Sequence, residues 1–296
     1  MNKFKFIMVF AFSLFSCNSD LNNYEKPFLV NEIPADMPIE FKQIIVPDDK
    51  LIHKGIFSPD LKSLYYTLSD KNFENFDVYV MCREGKMWSK PEKAFFNTKY
   101  NEHGMSFSPN GDALYFSSTR PINVDDIDLT WHIWKSENSN GKWQEPKFVD
   151  IPNLRGKLMS HPTIANSGTL YFHSSNLDYS DMDIYSAKQI DGKFIEAEKV
   201  LIENDSKNAK STPFVSPKED FLIFASVENQ LNLKVTFNDG AGKWTNTKAF
   251  SDSINSFGQG NPYVTPSNKY LFFTTGKSNN DWKIKWVDIE SEIRGN

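Results

Sequence analysis

Apolar and polar positions alternate with period two in short runs, and the runs come in pairs joined by a tight polar turn. The clearest pair is His103-Gly104-Met105-Ser106-Phe107 and Leu114-Tyr115-Phe116-Ser117, joined through Ser108-Pro109-Asn110-Gly111. Such alternation reads as β-strands. Proline presets φ for a reversal, and Asn-Gly accepts the positive φ that the reversal needs. The unit recurs at Phe57-Ser58-Pro59-Asp60, His161-Pro162-Thr163-Ile164-Ala165-Asn166, Phe214-Val215-Ser216-Pro217 and Tyr263-Val264-Thr265-Pro266. The turn positions Pro59, Pro109, Asn166, Pro217 and Pro266 lie 50, 57, 51 and 49 residues apart. A period of this length in a strand-rich chain points to a propeller.

The remainder of each period repeats as well. Third strands are expected at Asp77–Val80, His132–Lys135, Asp183–Ser186, Leu233–Thr236 and Trp282–Lys285. A Gly-Lys turn carrying an aromatic follows in four copies (Gly85, Gly141, Gly192, Gly242), each leading into a fourth apolar run such as Ala94-Phe95-Phe96. The fifth copy stops after its third strand, while Ile39–Val46 precedes the first turn, where a fourth strand belongs. The expected fold is therefore all-β: a five-bladed β-propeller of four-stranded antiparallel blades, the last completed by an N-terminal strand. Closure removes the sheet edge that an open ring would present.

The Phe-Ser-Pro-Asp and Phe-Ser-Pro-Asn-Gly-Asp turns followed by Leu-Tyr-Phe resemble the WD40-like repeat of TolB-type propellers, over roughly residues 39–290. The resemblance implies the propeller fold. Such propellers include scaffolds, binding proteins and some enzymes, so it implies no single activity.

Before the repeats, Lys3 and Lys5 precede an apolar run from Phe6 to Phe15, too short to span a bilayer and suited to a secretory leader. Leu14-Phe15-Ser16-Cys17 resembles a bacterial lipobox, which implies lipidation at Cys17. The expected organisation is a leader over 1–16, a lipid-anchored tether over 17–38 and the propeller over 39–296. The expected location is the bacterial cell envelope, at the outer membrane, with a monomeric body. A net charge of −5 without a basic stripe argues against nucleic acid as partner. With Cys17 lipidated, Cys82 stands alone and reads as a small buried residue on a third strand.

Candidate chemistry is sparse. No nucleophile elbow, phosphate loop or zinc-protease motif is present. Asp125-Asp126-Ile127-Asp128 and the Asp178–Asp183 stretch fall between second and third strands and read as Ca²⁺-holding or simply solvated turns. His53 and His103 fall at the same offset before their turns, and His161 one place later. First strands line a propeller channel, so these three would ring one mouth, with Gln259 in the neighbouring region of the fifth blade. Imidazoles there suit a divalent metal or an acidic sugar, and the same slot also accepts any polar residue. Arg120 and Arg155 qualify by type alone. Trp131, Trp134, Trp282 and Trp286 read as sugar-stacking faces or as packing between blades. The expected function is a binding or scaffold module for an envelope protein or glycan. The competing class is a lyase or hydrolase on acidic oligosaccharides, working through the histidines.

Overall fold

In the computed structural model, which describes residues 28–30, 32–122, 130–205, 207–278 and 281–294, all five turns share one geometry. The residue two places after each turn position is left-handed in every copy: Leu61, Gly111, Gly168, Glu219 and Asn268 have φ between 57° and 81°. The turn serine closes its own loop, since Ser58 Oγ accepts from the Ser63 N–H at 2.9 Å and Ser108 Oγ from the Ala113 N–H at 2.8 Å. Ser216 and Thr265 do the same toward Asp220 and Tyr270. The recurrent serine is thus a hydrogen-bonding part of the turn.

Five antiparallel sheets result, each a blade. Blade 1 comprises Lys50–Phe57, Ser63–Asp70 and Asp77–Glu84 with an outer strand in two pieces, Met87–Trp88 and Glu92–Lys93. Blade 2 runs Glu102–Phe107, Ala113–Ser118, His132–Ser139, then Lys142–Trp143 and Lys147–Phe148. Pro91 and Pro146 cause the breaks, because proline has no N–H to give a ladder. Blades 3 and 4 have no proline there and keep unbroken outer strands, Lys193–Lys199 and Trp244–Ala249. Their inner strands are Leu158–Ile164, Leu170–Ser175 and Asp183–Ile190, and Ala209–Val215, Phe221–Val227 and Leu231–Asn238. Blade 5 is Gln259–Val264, Tyr270–Thr275 and Lys283–Asp288.

The second strands are buried on both faces, which explains their nearly continuous apolar runs. Alternate residues serve opposite neighbours. In Ala113–Ser118, Leu114 and Phe116 pack toward blade 1 while Ala113 and Tyr115 pack toward blade 3. The core is therefore five separate layers, one between each pair of blades.

The ring closes as the repeat demands. Ile39 pairs with Trp286 and Glu40 with Lys285, and the Phe41 N–H donates to Ile284 O at 2.9 Å. The ladder is shorter than the expected Ile39–Val46 strand, and side chains supply the rest of the closure. Phe41 and Phe28 are both buried, Phe28 with its ring 4.8 Å from Phe57 and 5.6 Å from Trp286. The Asp288 N–H donates to Ala35 O at 2.9 Å. Phe28 and Ala35, in the stretch expected as tether, thus contact the propeller. The leader, Cys17 and the Asp125–Asp128 cluster lie outside the described residues. Cys82 corrects a second expectation: it sits on the third strand of blade 1 but is exposed, where the outer half of the blade meets solvent.

The closure is testable. Phe41→Ala removes a buried ring from the seam and is expected to cost about 3–5 kcal/mol in urea unfolding. Met87→Ala, at a side chain 70% exposed, is expected to change stability by less than about 0.5 kcal/mol.

Candidate functional site

Each first strand carries a β-bulge where it leaves the channel mouth. Register shifts fall between Ile52 and Gly55, His103 and Ser106, Ser160 and Thr163, Ser211 and Phe214, and Gly260 and Tyr263. A bulge re-aims side chains and takes backbone groups out of the ladder. Counted back from the turns, Lys54, Gly104, His161, Thr212 and Asn261 share one slot, and the last four have positive φ. His161 lies one place later than His53 and His103 because it occupies this bulge slot itself.

The freed N–H groups are taken by the preceding blade. The His161 N–H donates to Ser117 Oγ at 2.9 Å, the Thr212 N–H to His173 Nδ1 at 3.3 Å, and the Asn261 N–H to Thr212 Oγ1 at 3.3 Å. Gly104 serves two needs at once. Its φ is +61°, and a Cβ there would come within 3.2 Å of His161. The glycine lets His161 stand against the second blade.

Four of the chain's five histidines gather at this level. His103 and His161 lie 4.5 Å apart by ring centroid, and His161 stacks on His173 at 5.0 Å. The Ser160 hydroxyl is 2.8 Å from His103 Nε2 and 3.1 Å from His161 Nδ1, and donates to Ser117 Oγ at 3.0 Å. His53 stands apart, bonded to Ser69 Oγ at 2.7 Å, with the Phe76 ring between it and His103. All three expected histidines line the mouth, and of these His103 and His161 are in ring contact with each other. Among the described residues no three His, Cys, Asp or Glu side chains converge to hold a metal ion. His173, on a second strand, completes the cluster; the offset from the turns points only to first strands, so it gave no signal for this residue.

The mouth opens into a cavity of about 510 Å³, lined by His53, His103, His161 and the expected Gln259, with Phe73, Phe76 and Trp282 as aromatic walls. Trp131 packs on His103 at 3.9 Å. Trp134 does not reach the mouth: it lies between Arg120 and Phe148 in the layer between blades. Trp286 is core. Arg120 is buried against Glu102 at 3.1 Å, and Arg155 pairs with Asp150 on the surface, so neither arginine lines the cavity. Asp183 is taken up by Lys199 and Lys210, and Asp178 by Ser180, which leaves the second acidic turn occupied by its own chain.

Among the residues that line the cavity, Gln259 Oε1 and Thr274 Oγ1 are buried without a hydrogen-bond partner, while the Asn261 side chain bonds to the His161 ring. Among the described residues no Asp or Glu lines the cavity, and Lys277, over the Phe257 ring, is the one cation that does. Burial pushes His53 and His173 down to about 4, and His103 and His161 well below the ordinary imidazole value, with neighbouring histidines and Lys54 adding to it at the latter pair. The histidine side of the mouth is therefore neutral, and its wall is rich in acceptors. Lys54, at the next level inward, is pushed down to about 7 by burial.

These shifts fix the pH dependence of stability. Between 6.5 and about 4 the unfolded chain binds protons that the folded histidines refuse, so stability is lost as pH falls through that window. The slope should reach about 1.4 kcal/mol per pH unit for each ring that titrates. Lys54 acts from 10.5 down to about 7, again lowering stability as pH falls. Lys54→Met is expected to raise stability near pH 7, on the order of a few kcal/mol, and to flatten the alkaline limb in urea unfolding.

No family model matches the chain, and no curated protein matches it. Solved structures do. The chain is similar to a glycoside hydrolase at TM-score 0.54 and 9% identity, over 90% of this chain and 93% of that one. It is similar to BT0996, solved as an RGII complex, at TM-score 0.53 and 8% identity, over 90% and 94%. TolB from Acinetobacter baumannii gives TM-score 0.49 and 16% identity over 79% of this chain, which spans only 54% of that protein. At these identities the likeness is one of fold, and the fold is the β-propeller.

Proposed function

We propose that this protein is a binding propeller that seats part of a glycan in the wide mouth of its channel. The observation that carries this reading is the wall of the cavity. Gln259 and Thr274 keep unpartnered oxygens at its lining, and a ligand made of hydroxyl groups supplies the matching donors. Phe73, Phe76 and Trp282 offer flat apolar faces, against which the C–H face of a sugar ring packs. A cavity of about 510 Å³ accepts one or two such rings, within the range of ordinary ligand sites.

The hydrolase alternative takes, in its common form, a pair of carboxylates, and among the described residues none lines this cavity. A lyase acting through His103 or His161 is the competing reading, since both rings are neutral and within reach of Ser160. The anchoring belongs to the same proposal. A lipid on Cys17 would hold the propeller at the outer membrane, supported by the Lys3, Lys5 and Phe6–Phe15 leader pattern and the lipobox-like Leu14–Cys17. Its partner there is an envelope glycan.

Titration of the full chain with neutral and uronic-acid oligosaccharides, read by tryptophan fluorescence, tests the binding. A saturable change is expected with at least one, with affinity reduced about tenfold or more in Trp282→Ala. No response to any of them sinks the glycan reading. Conversion of the bound sugar to an unsaturated product replaces binding with a lyase activity.

A further inference from the structure

Lys54 is the one lysine in a slot that the other blades fill with Gly104, His161, Thr212 and Asn261. The residue is buried, with a relative exposure of 3%. Other deeply buried cations here have carboxylates: Lys210 lies 3.2 Å from Asp183 and Arg120 lies 3.1 Å from Glu102. Among the described residues no carboxylate stands within ion-pair distance of Lys54, and burial is the only influence on its amine. The ionisable side chains that feel its charge are His103, His161 and His173, which carry none of their own at neutral pH.

Its position is specific. A second cavity, of about 80 Å³, lies further along the channel and is lined by Lys54, Met105, Thr163, Phe214 and Tyr263. The same five strands line the wide cavity two residues or less earlier, through His53, His103, His161, Thr212 and Asn261. Of the two cavities, Lys54 lines the narrow one alone. Along its strand it stands at the waist of the channel, one residue inward of His53, with His103 and His161 feeling its charge. A buried cation without a counter-charge is unfavourable, and a hydrophobic side chain of similar volume would suit the site better unless an anion is to be met there.

We infer that the Lys54 amine is the anchor for a carboxylate on the ligand, so that the sugar seated in the mouth is a uronic acid whose charged group points down the channel. This rests on the glycan reading above and adds the ligand's charge and orientation to it. The acceptor-rich wall takes the hydroxyl groups, and the buried cation at the waist takes the carboxylate. A neutral sugar would satisfy the first and leave the second unmet. The specificity is a difference between two ligands of nearly equal shape, which is the form of discrimination that a charge-assisted hydrogen bond provides.

The test compares trigalacturonate with its methyl ester, which keeps the ring and removes the charge, by calorimetric titration of the full chain. The wild-type protein is expected to prefer the acid about tenfold or more. Lys54→Met should bind the ester as the wild type does and lose the preference, and Lys54→Arg should keep a part of it. Thermal unfolding of both variants checks that they fold. A wild-type protein that binds acid and ester equally overturns the anchor while leaving glycan binding intact. So does a Lys54→Met variant that keeps the preference, which would assign it to Lys277 at the cavity wall. If neither sugar binds, both the anchor and the glycan reading fall.

Discussion

A bulge at the same level of every first strand is the constraint on which both the ring and its mouth depend. Each bulge takes an N–H out of its own ladder, and a buried N–H must find an acceptor elsewhere. From blade 3 onward the acceptor is a side chain on the blade before: Ser117, His173 and Thr212 in turn. Neighbouring blades are thus joined by polar contacts at the channel and by apolar layers further out. The bulge slot places His161 and Asn261 at the cavity, beside His53 and His103. The groups that hold the ring at its centre and the groups that line the cavity are in part the same atoms. His173 is the plainest case, since it stacks on His161 and accepts from Thr212.

This explains what could be read from the chain and what could not. Five turns at near-equal spacing, each with its left-handed residue two places on, are local events written in adjacent residues. So are the second strands, whose paired burial needs an unbroken apolar run. The closing strand was legible because the fifth copy lacks a fourth run and the N-terminus has one to spare. Its true length was not, because Phe28 and Phe41 close the seam by packing rather than by pairing. The mouth was half legible. Counting back from the turns finds His53, His103, His161 and the region of Gln259, since those depend on register alone. It cannot find His173, which reaches the channel from a second strand through contact between blades. It also passes over Lys54, because a lysine in a strand ordinarily faces water and nothing local marks this one as buried. Trp134 misleads for the opposite reason: an aromatic on a third strand is as fit for the layer between blades as for a mouth, and Arg120 draws it into the layer.

The balance of polar groups across the fold separates structural charges from those kept for another purpose. Glu102 with Arg120 and Asp183 with Lys210 are buried and paired, and they sit where blades meet. Removing one member of such a pair would leave an uncompensated charge, which makes each pair a fixed part of the scaffold. The channel follows a different rule. Its histidines are held neutral by burial, Gln259 and Thr274 keep unpartnered oxygens, and among the described residues its buried lysine has no carboxylate. Departures from local consistency of this kind collect where a protein meets something other than itself.

The fold alone does not choose among binding, lysis and hydrolysis, because propellers host all of them on one architecture. What narrows the choice is the chemistry at the mouth, considered as a set of unmet demands. Unpartnered oxygens call for donors, flat rings call for an apolar face, and one buried amine calls for an anion. A peptide end would supply the anion and a few donors but not a dense array of hydroxyl groups. A free phosphate would supply charge and leave the aromatic walls empty. A uronic-acid ring meets all three demands from one small scaffold, and a rigid ring of blades is suited to hold such demands at fixed separations. On the proposed reading, holding these groups at fixed separations would lower the cost of seating such a ring.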